Sequence, residues 1–331
     1  MSSPALQLGV SHQTPATLTP QRMRFLRQMG VEKVEVRIPS SECGYDDICR
    51  VRDTVEGAGL GLHEIMLADR YSCRPIALGL PESGAEIDLF KRFIRDLGRA
   101  GVGVMTYAWH TGGAYATGRT ETRGCSTRLF QLAEAQALPD AYDRRYSHDE
   151  LWDNYAAFIR EVLPVAEEHG VRLQLHPNDP PVDHQGVPRL FSSRVAFRRA
   201  MEIAGHSPHS GILFCVGCFA EMFGPEGSGE DVAGAIYEFG SRGHIFQVHF
   251  RNISSPMPDF HETFPDNGYL DMYRIMTALA EVGYDGMVVP DHVPQLEDGS
   301  GTGGAGEAYI LGYIRALIQA VSADRRRPSP S

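Results

Sequence analysis

Four short apolar segments in the second half of the sequence each lead into a side chain that can bind a metal ion. In chain order, these side chains are His176, Cys215, His249 and Asp291. Short apolar runs bounded by turn residues are typical of buried strands. If the four predicted strands are parallel neighbours, their C-terminal ends bring these side chains to one point. The pattern therefore predicts a metal centre.

The types of ligand narrow the choice of metal. A lone histidine or cysteine at a strand end is more often structural, but four ligand-type residues at four successive strand ends favour a divalent metal site. Imidazole, thiolate and carboxylate together suit Mn2+, Fe2+, Co2+ or Zn2+ better than Mg2+ or Ca2+, which prefer oxygen ligands.

Cys215 also begins a CxxC motif with Cys218, which could be a redox pair or half of a zinc knuckle. The sequence has no second CxxC, and the motif is predicted to end a barrel strand rather than to begin a helix. We therefore expect Cys215 to be a metal ligand and Cys218 to be a neighbouring packing residue.

Further polar residues are predicted to surround this centre because they lie at or beyond the ends of predicted strands. Arg37 and Arg251 could each bind a substrate carboxylate, since a guanidinium offers two parallel donors. His292 directly follows a predicted ligand, which suits a general acid or base. The predicted catalytic residues are His292, His261 and Arg251, and the predicted substrate-binding residues are Arg37, Tyr107, Arg123, Asn178, Asn252 and Glu262.

The segments that would position these residues alternate between strand and helix patterns. Strands are predicted at 6–10, 34–38, 62–67, 102–109, 171–176, 211–216, 245–250 and 286–290. Helices are predicted at 22–29, 45–56, 86–99, 147–168, 193–204, 230–240, 271–282 and 308–321. This alternation predicts a single (β/α)8 TIM barrel over residues 1–322, followed by a disordered tail at 323–331. A doubly wound open sheet is the main alternative, but no glycine-rich phosphate motif follows the first strand.

Two long segments, 68–81 and 110–146, are predicted to be loops on the C-terminal face of the barrel. Glycines at 112, 113, 118 and 124 would allow the second loop to close over the site as a lid. The helix that follows begins with a capping box formed by Ser147 and Glu150.

Composition excludes several classes of function. A net charge of -11 over 331 residues argues against a nucleic-acid partner, because phosphate binding needs a concentrated basic face. No apolar stretch approaches the roughly 20 residues that cross a bilayer, and the first residues show no secretory signal. Six cysteines in a chain of this length do not suggest a disulfide scaffold, so we expect a reducing, cytoplasmic setting.

Several segments of the chain resemble the mannonate dehydratase family of the xylose-isomerase-like TIM-barrel superfamily. The resemblance rests on residues 176–181, 248–252, 260–262 and 290–292, and extends to 78–81, 95–101 and 118–124. It implies a divalent ion, Mn2+ first, held by His176, Cys215, His249 and Asp291. It also implies a homo-oligomer that removes water from a sugar acid, D-mannonate or a related aldonate, to give a 2-keto-3-deoxy acid.

Such a reaction needs a base for the C2 proton and an acid for the departing C3 hydroxyl. His292 suits one of these roles, and His261 or a metal-bound water suits the other. The sequence departs from the family in the segment after His292, where many members have a tyrosine and then an arginine. Residues 298–306 contain no tyrosine, and Glu307 stands where the arginine is expected. Asn178 also stands where the family often has Asp.

Two other functions are open at this point. An isomerase or epimerase of a sugar or keto-sugar would use the same barrel, metal and enediolate chemistry, but its product would have the mass of its substrate. A non-catalytic sugar-sensing barrel would bind without turnover. Retention of all four predicted ligands favours an enzyme.

Overall fold

The computed structural model describes residues 6–294, 296–297 and 304–325 of the chain. Within these residues, eight parallel strands form a nearly closed barrel in the order β3-β2-β1-β12-β9-β8-β7-β4, numbered along the chain over both sheets. The barrel strands are β1 (Gln7–Gln13), β2 (Lys33–Ile38), β3 (Gly61–Leu67), β4 (Val104–Ala108), β7 (Arg172–His176), β8 (Ser210–Cys215), β9 (Ile245–His249) and β12 (Met287–Val289). The predicted (β/α)8 barrel is confirmed.

Helices surround the barrel and bury one apolar face against it. Their bounds are α1 (Pro20–Gln28), α2 (Tyr45–Gly57), α3 (Arg74–Ala77), α4 (Ser83–Arg99), α5 (Leu132–Ala137), α6 (His148–His169), α7 (Arg194–Ile203), α8 (Val216–Glu221), α9 (Val232–Gly240), α10 (Met272–Glu281) and α11 (Ala305–Asp324). Helix α4 shows the pattern clearly, since its buried residues Phe90, Phe93, Ile94 and Leu97 recur at helical spacing. Short 3-10 turns occur at Ser40–Glu42 and Pro225–Gly227.

Helix α6 begins where its sequence predicts. The backbone N–H of Glu150 donates to the Ser147 hydroxyl at 3.2 Å, and the Glu150 carboxylate accepts the Ser147 N–H at 2.9 Å. This reciprocal cap satisfies donors that the first turn leaves free. Gly170, with φ of 69°, ends the helix.

A second, antiparallel sheet covers the C-terminal end of the barrel. Within the described residues it has the order β10-β11-β6-β5 and consists of β5 (Gly118–Thr122), β6 (Cys125–Gln131), β10 (Asn252–Ile253) and β11 (Asp259–Thr263). The prediction of an irregular loop at 110–146 is therefore wrong, because a hairpin lies inside it. Its turn is Arg123-Gly124, with φ values of 49° and 77°, as two-residue hairpin turns require.

The last described helix extends into the predicted tail. Helix α11 continues to Asp324, two residues into the predicted tail, whereas residues 326–331 lie outside the described part of the chain. Among the described residues, no helix is long and apolar enough to cross a membrane.

A layer of buried polar side chains fills the barrel beneath the strand ends. The Thr106 hydroxyl of β4 donates to Glu64 of β3 at 2.7 Å, which joins the two strands at the ends of the sheet order. Gln247 donates to the Glu35 carboxylate at 3.0 Å. Burial and the charge of Glu35 raise the pKa of Glu64 to about 8, so Glu64 is protonated at neutral pH.

This protonated carboxyl makes stability depend on pH. The ordinary pKa of a glutamate is 4.5, so between 4.5 and about 8 the folded state holds a proton that the unfolded state has lost. The contribution of Glu64 to the free energy of unfolding is full below pH 4.5 and is lost as the pH rises through about 8. Glu64→Gln should remove this loss, so urea unfolding should show the variant gaining stability relative to wild type across this range. The exposed Glu56→Gln on α2 should show no such trend, and parallel curves for Glu64→Gln and wild type would contradict the prediction.

Candidate active site

Three predicted ligands converge at the C-terminal ends of neighbouring strands. The ligand atoms of His176, Cys215 and His249, from β7, β8 and β9, all lie within 4.8 Å of one another and are buried. Asp291 follows β12, and its Oδ2 lies 3.4 Å from His249 Nδ1 and 3.7 Å from Cys215 Sγ. The strand order β12-β9-β8-β7 explains why residues far apart in sequence meet here.

Both histidines present a free nitrogen to this group. The Nδ1 of His176 donates to the carbonyl of Pro177 at 2.7 Å, which leaves Nε2 as a ligand. Among the described residues, the buried Nδ1 of His249 makes no hydrogen bond. Burial lowers the pKa of His249, but Asp291 and Cys215 outweigh it and raise the pKa to about 10. A divalent cation would replace that proton, so the residues fit a metal centre.

The surroundings of Cys215 favour its thiolate form in spite of its burial. It is the N-cap of α8, where its Sγ accepts the Cys218 backbone N–H at 3.4 Å. Burial raises the pKa of Cys215, but its hydrogen bonding with Cys218 and the charge of Arg251 bring it well below the usual value. As predicted, the CxxC motif ends a barrel strand, since Cys215 is the last residue of β8; the short helix α8 then begins at Val216. Gly217 is needed within the motif because a Cβ there would overlap the Arg251 guanidinium.

Arg251 lies behind the metal ligands rather than in front of them. Its Nε donates to Asp291 at 3.1 Å, and its terminal nitrogens donate to Glu221 at 2.8 Å and to Asp179 at 2.9 Å. The second of these nitrogens also contacts Cys218 Sγ at 3.2 Å. The predicted fork for a substrate carboxylate is therefore corrected, because buried protein groups already occupy all three nitrogens.

Arg128 of β6 completes this buried ionic group. Its guanidinium lies 2.7 Å from Asp179, 3.1 Å from Glu221 and 3.1 Å from Glu262. This role was not predictable from the sequence, because Arg128 lies in the segment predicted to be a loop. Two arginines and the carboxylates around them thus share one buried network between barrel and second sheet.

His292 and Glu262 form a close pair beside the metal ligands. The Nδ1 of His292 donates to the Glu262 carboxylate, and Nε2 lies 3.6 Å from Asp291 Oδ1. Burial lowers the pKa of His292, but Asp291 and Glu262 raise it to about 9. The structure thus places both predicted residues, His292 and Glu262, beside the candidate metal ligands. The Nε2 of His292 faces Asp291.

Three predicted substrate contacts lie elsewhere. Tyr107 points out of the barrel, and its hydroxyl lies 3.1 Å from that of Tyr155 on α6. The buried side-chain amide of Asn178 donates to the Trp109 carbonyl and accepts the Phe191 N–H. The Asn252 side chain is likewise bound by the backbone of residues 253, 265 and 270. These predictions are corrected, because all three side chains are buried and hydrogen-bonded within the protein.

The other predicted residues lie around the site at different distances from its centre. His261 lies next to Glu262 on β11, and since alternate side chains of a strand face opposite ways, it points away from His292. Its predicted catalytic role is corrected accordingly. Arg37 is partly exposed and donates to Glu35 at 3.1 Å. Arg123 pairs with Asp266, and its guanidinium stacks over the Phe264 ring at 4.6 Å.

The structure adds residues to the site that the sequence analysis did not assign. His12 on β1 lies 3.8 Å from Asp291, and Tyr115 lies against His292. Asp179 and Glu221 come shortly after β7 and β8, and this position beyond a strand end could have indicated that they belong to the site. Tyr115 lies in the long insertion, where no such signal exists.

Fold and site together define a (β/α)8 barrel enzyme with a candidate divalent-metal centre at its strand ends. A profile of the D-mannonate dehydratase family matches residues 124–327, which is more than half of the chain. The chain belongs to this family, whose members are hydro-lyases acting on a sugar acid, and the predicted family and class of enzyme are confirmed. Mannonate dehydratase of Thermotoga maritima is 28% identical over 319 residues, covering 82% of this chain and 86% of its own. That of Thermotoga neapolitana is 28% identical over 324 residues, covering 85% and 87%.

Solved structures show the same fold. The crystal structure of mannonate dehydratase from Streptococcus suis serotype2 matches with a TM-score of 0.82 and 24% identity, covering 98% of this chain and 96% of that one. A 3-keto-D-glucoside 4-epimerase from E. coli matches with a TM-score of 0.63 and 17% identity, covering 95% and 99%. At these identities the likeness establishes the barrel and nothing about the reaction.

Removing one ligand should abolish metal binding without unfolding the protein. His176→Ala deletes a ligand at the end of β7 while the barrel retains its core. We expect elemental analysis after dialysis against Mn2+ to show stoichiometric metal in wild type and less than about a tenth of that in the variant. The exposed His206→Ala is the control. Equal metal in both variants, or an unfolded His176→Ala protein by circular dichroism, would contradict the assignment.

Removing the buried side chain of Arg251 should lower the free energy of unfolding. Arg251→Leu leaves Arg128 as the one arginine beside Asp179 and Glu221 and removes the arginine that pairs with Asp291, and we expect the metal-free protein to lose about 3–5 kcal/mol in urea unfolding. Arg50→Leu removes an exposed pair with Asp47 and should cost less than about 1 kcal/mol. A small, equal loss in both variants would show that the network contributes little.

Proposed function

We propose that this protein removes water from D-mannonate or a closely related aldonate, using a divalent cation for which Mn2+ is the first candidate. The observation that carries the proposal is the convergence of His176, Cys215 and His249 with Asp291, beside His292, in a chain of this family. The reaction would give a 2-keto-3-deoxy acid.

The charge that develops during the reaction explains the need for a metal. A proton on the carbon next to a carboxylate is a very weak acid, so the anion formed on its removal must be stabilised. A divalent cation held by the four ligands would supply positive charge at this point. Arg37, partly exposed beside Glu35 and close to His12, is the arginine that we propose binds the substrate carboxylate.

His292 is the group that we propose takes the C2 proton. Its Nδ1–H donates to Glu262, so Nε2 is the nitrogen on the side of Asp291 that would take the proton. The neighbouring carboxylates alone raise the pKa of His292, and a divalent cation held beside Asp291 would offset them and favour the neutral, basic imidazole. Glu262 is in turn held 3.1 Å from the Arg128 Nε. The imidazole therefore has a fixed orientation toward the metal group, as a general base requires.

The second sheet covers this arrangement and would exclude water from it. Its hairpin comes from the segment 110–146, whose glycines would allow it to close over the site. A homo-oligomeric assembly and a cytoplasmic setting remain predictions.

The test is turnover of D-mannonate with Mn2+, Fe2+, Co2+ or Zn2+, before and after chelation, with mass and keto-acid detection of 2-keto-3-deoxygluconate. We expect product only with metal, and most with Mn2+. A product of unchanged mass from a keto-sugar would indicate an isomerase or epimerase instead. Stoichiometric metal without turnover of any aldonate or keto-sugar would indicate a binding protein.

A further inference from the structure

Tyr115 presents a hydroxyl to the imidazole of His292. It lies between β4 and β5, and its hydroxyl oxygen is 3.1 Å from Nδ1 and 3.2 Å from Nε2. The two rings are nearly perpendicular, with their centroids 5.9 Å apart. Tyr115 is 45% exposed, so a ligand that enters beside His292 can reach it.

The surrounding protein fixes this tyrosine in place. The Arg128 guanidinium lies 3.9 Å from the centre of its ring and donates to its carbonyl at 3.4 Å. The preceding residue, Ala114, is anchored twice, because its N–H donates to Gln185 at 2.7 Å and its carbonyl lies 3.0 Å from His184 Nε2. The hydroxyl is therefore preorganised rather than carried on a free loop.

The proposed reaction needs a second protonic group in this position. The proton is taken from C2 and another is given to the hydroxyl on the adjacent carbon, so base and acid must border the same small space. Of the two predicted candidates for this role, a metal-bound water and His261, the histidine faces away from this space. Burial and the charge of Asp179 raise the pKa of Tyr115 above its usual value, so the phenol keeps its proton at neutral pH, as an acid must.

We propose, resting on the proposed function, that Tyr115 is the catalytic acid that protonates the departing C3 hydroxyl. The C2–H bond breaks as His292 takes the proton, and its electron pair forms the C2=C3 double bond. The C3–O bond breaks, and the oxygen leaves as water with the Tyr115 proton. The Nε2 of His292 then returns its proton to the phenolate 3.2 Å away, and the enol tautomerises to the 2-keto acid.

The decisive variant is Tyr115→Phe, which keeps the ring over Arg128 and removes only the hydroxyl. We expect its kcat on D-mannonate to fall about 10²–10⁴-fold, the usual range for a lost acid or base. Elimination of fluoride from 3-deoxy-3-fluoro-D-mannonate should fall less than about threefold, because fluoride leaves without a proton. Metal content, melting temperature and affinity for 2-keto-3-deoxygluconate should match wild type.

The control is Tyr146→Phe, in the same insertion, whose ring packs on Tyr142 and under Arg144 and should leave both reactions unchanged. Equal losses on both substrates, or a matching loss of product affinity, would show that Tyr115 only positions the site. Full activity of Tyr115→Phe on D-mannonate would overturn the proposal outright. Failure of wild type on D-mannonate would instead overturn the proposed function.

Discussion

The buried guanidinium of Arg251 holds the active end of the barrel together. It joins Asp179 after β7, Glu221 of α8 and Asp291 after β12. Carboxylates are rarely buried without a partner, because desolvation costs several kcal/mol for each ion. Arg128 supplies the second charge from the covering sheet. The position of that sheet over the barrel therefore depends on the same ionic group as the strand ends.

This network also determines how the metal ligands are presented. The Oδ2 of Asp291 accepts from Arg251 at 3.1 Å and lies 3.4 Å from His249 Nδ1. This one oxygen therefore contacts both the supporting arginine and a candidate metal ligand. The same arginine stabilises the Cys215 thiolate. Supporting hydrogen bonds of this kind orient ligands and tune their basicity. Arg251 thus acts on the chemistry through its neighbours, without a nitrogen free for the substrate.

The barrel and its ligands were predictable because both follow from strand periodicity. A parallel strand order places every C-terminal end at one rim, so His176 and Cys215 needed only their position to be assigned. Side-chain direction was not predictable in the same way. Tyr107 and Asn178 lie near strand ends as expected, but a shift of one residue decides whether a side chain faces the site or the helices. The position of Arg128 was not predictable, because its strand β6 is polar and pairs with β5 and β11, which also lie in segments outside the barrel.

The parts of the site divide between the two sheets according to their chemistry. The barrel carries the ligands that would hold the cation, whereas the covering sheet and its approach carry Glu262, Arg128 and Tyr115 around His292. Residues 298–306, where many relatives have a tyrosine, have none in this chain, yet a phenol reaches His292 from a different segment. Because Arg128 contacts both Tyr115 and Glu262, the groups that handle protons are fixed relative to one another. The strand ends thus carry the candidate ligands of the cation, and the covering sheet with its approach carries the groups around His292 to which we assign proton transfer.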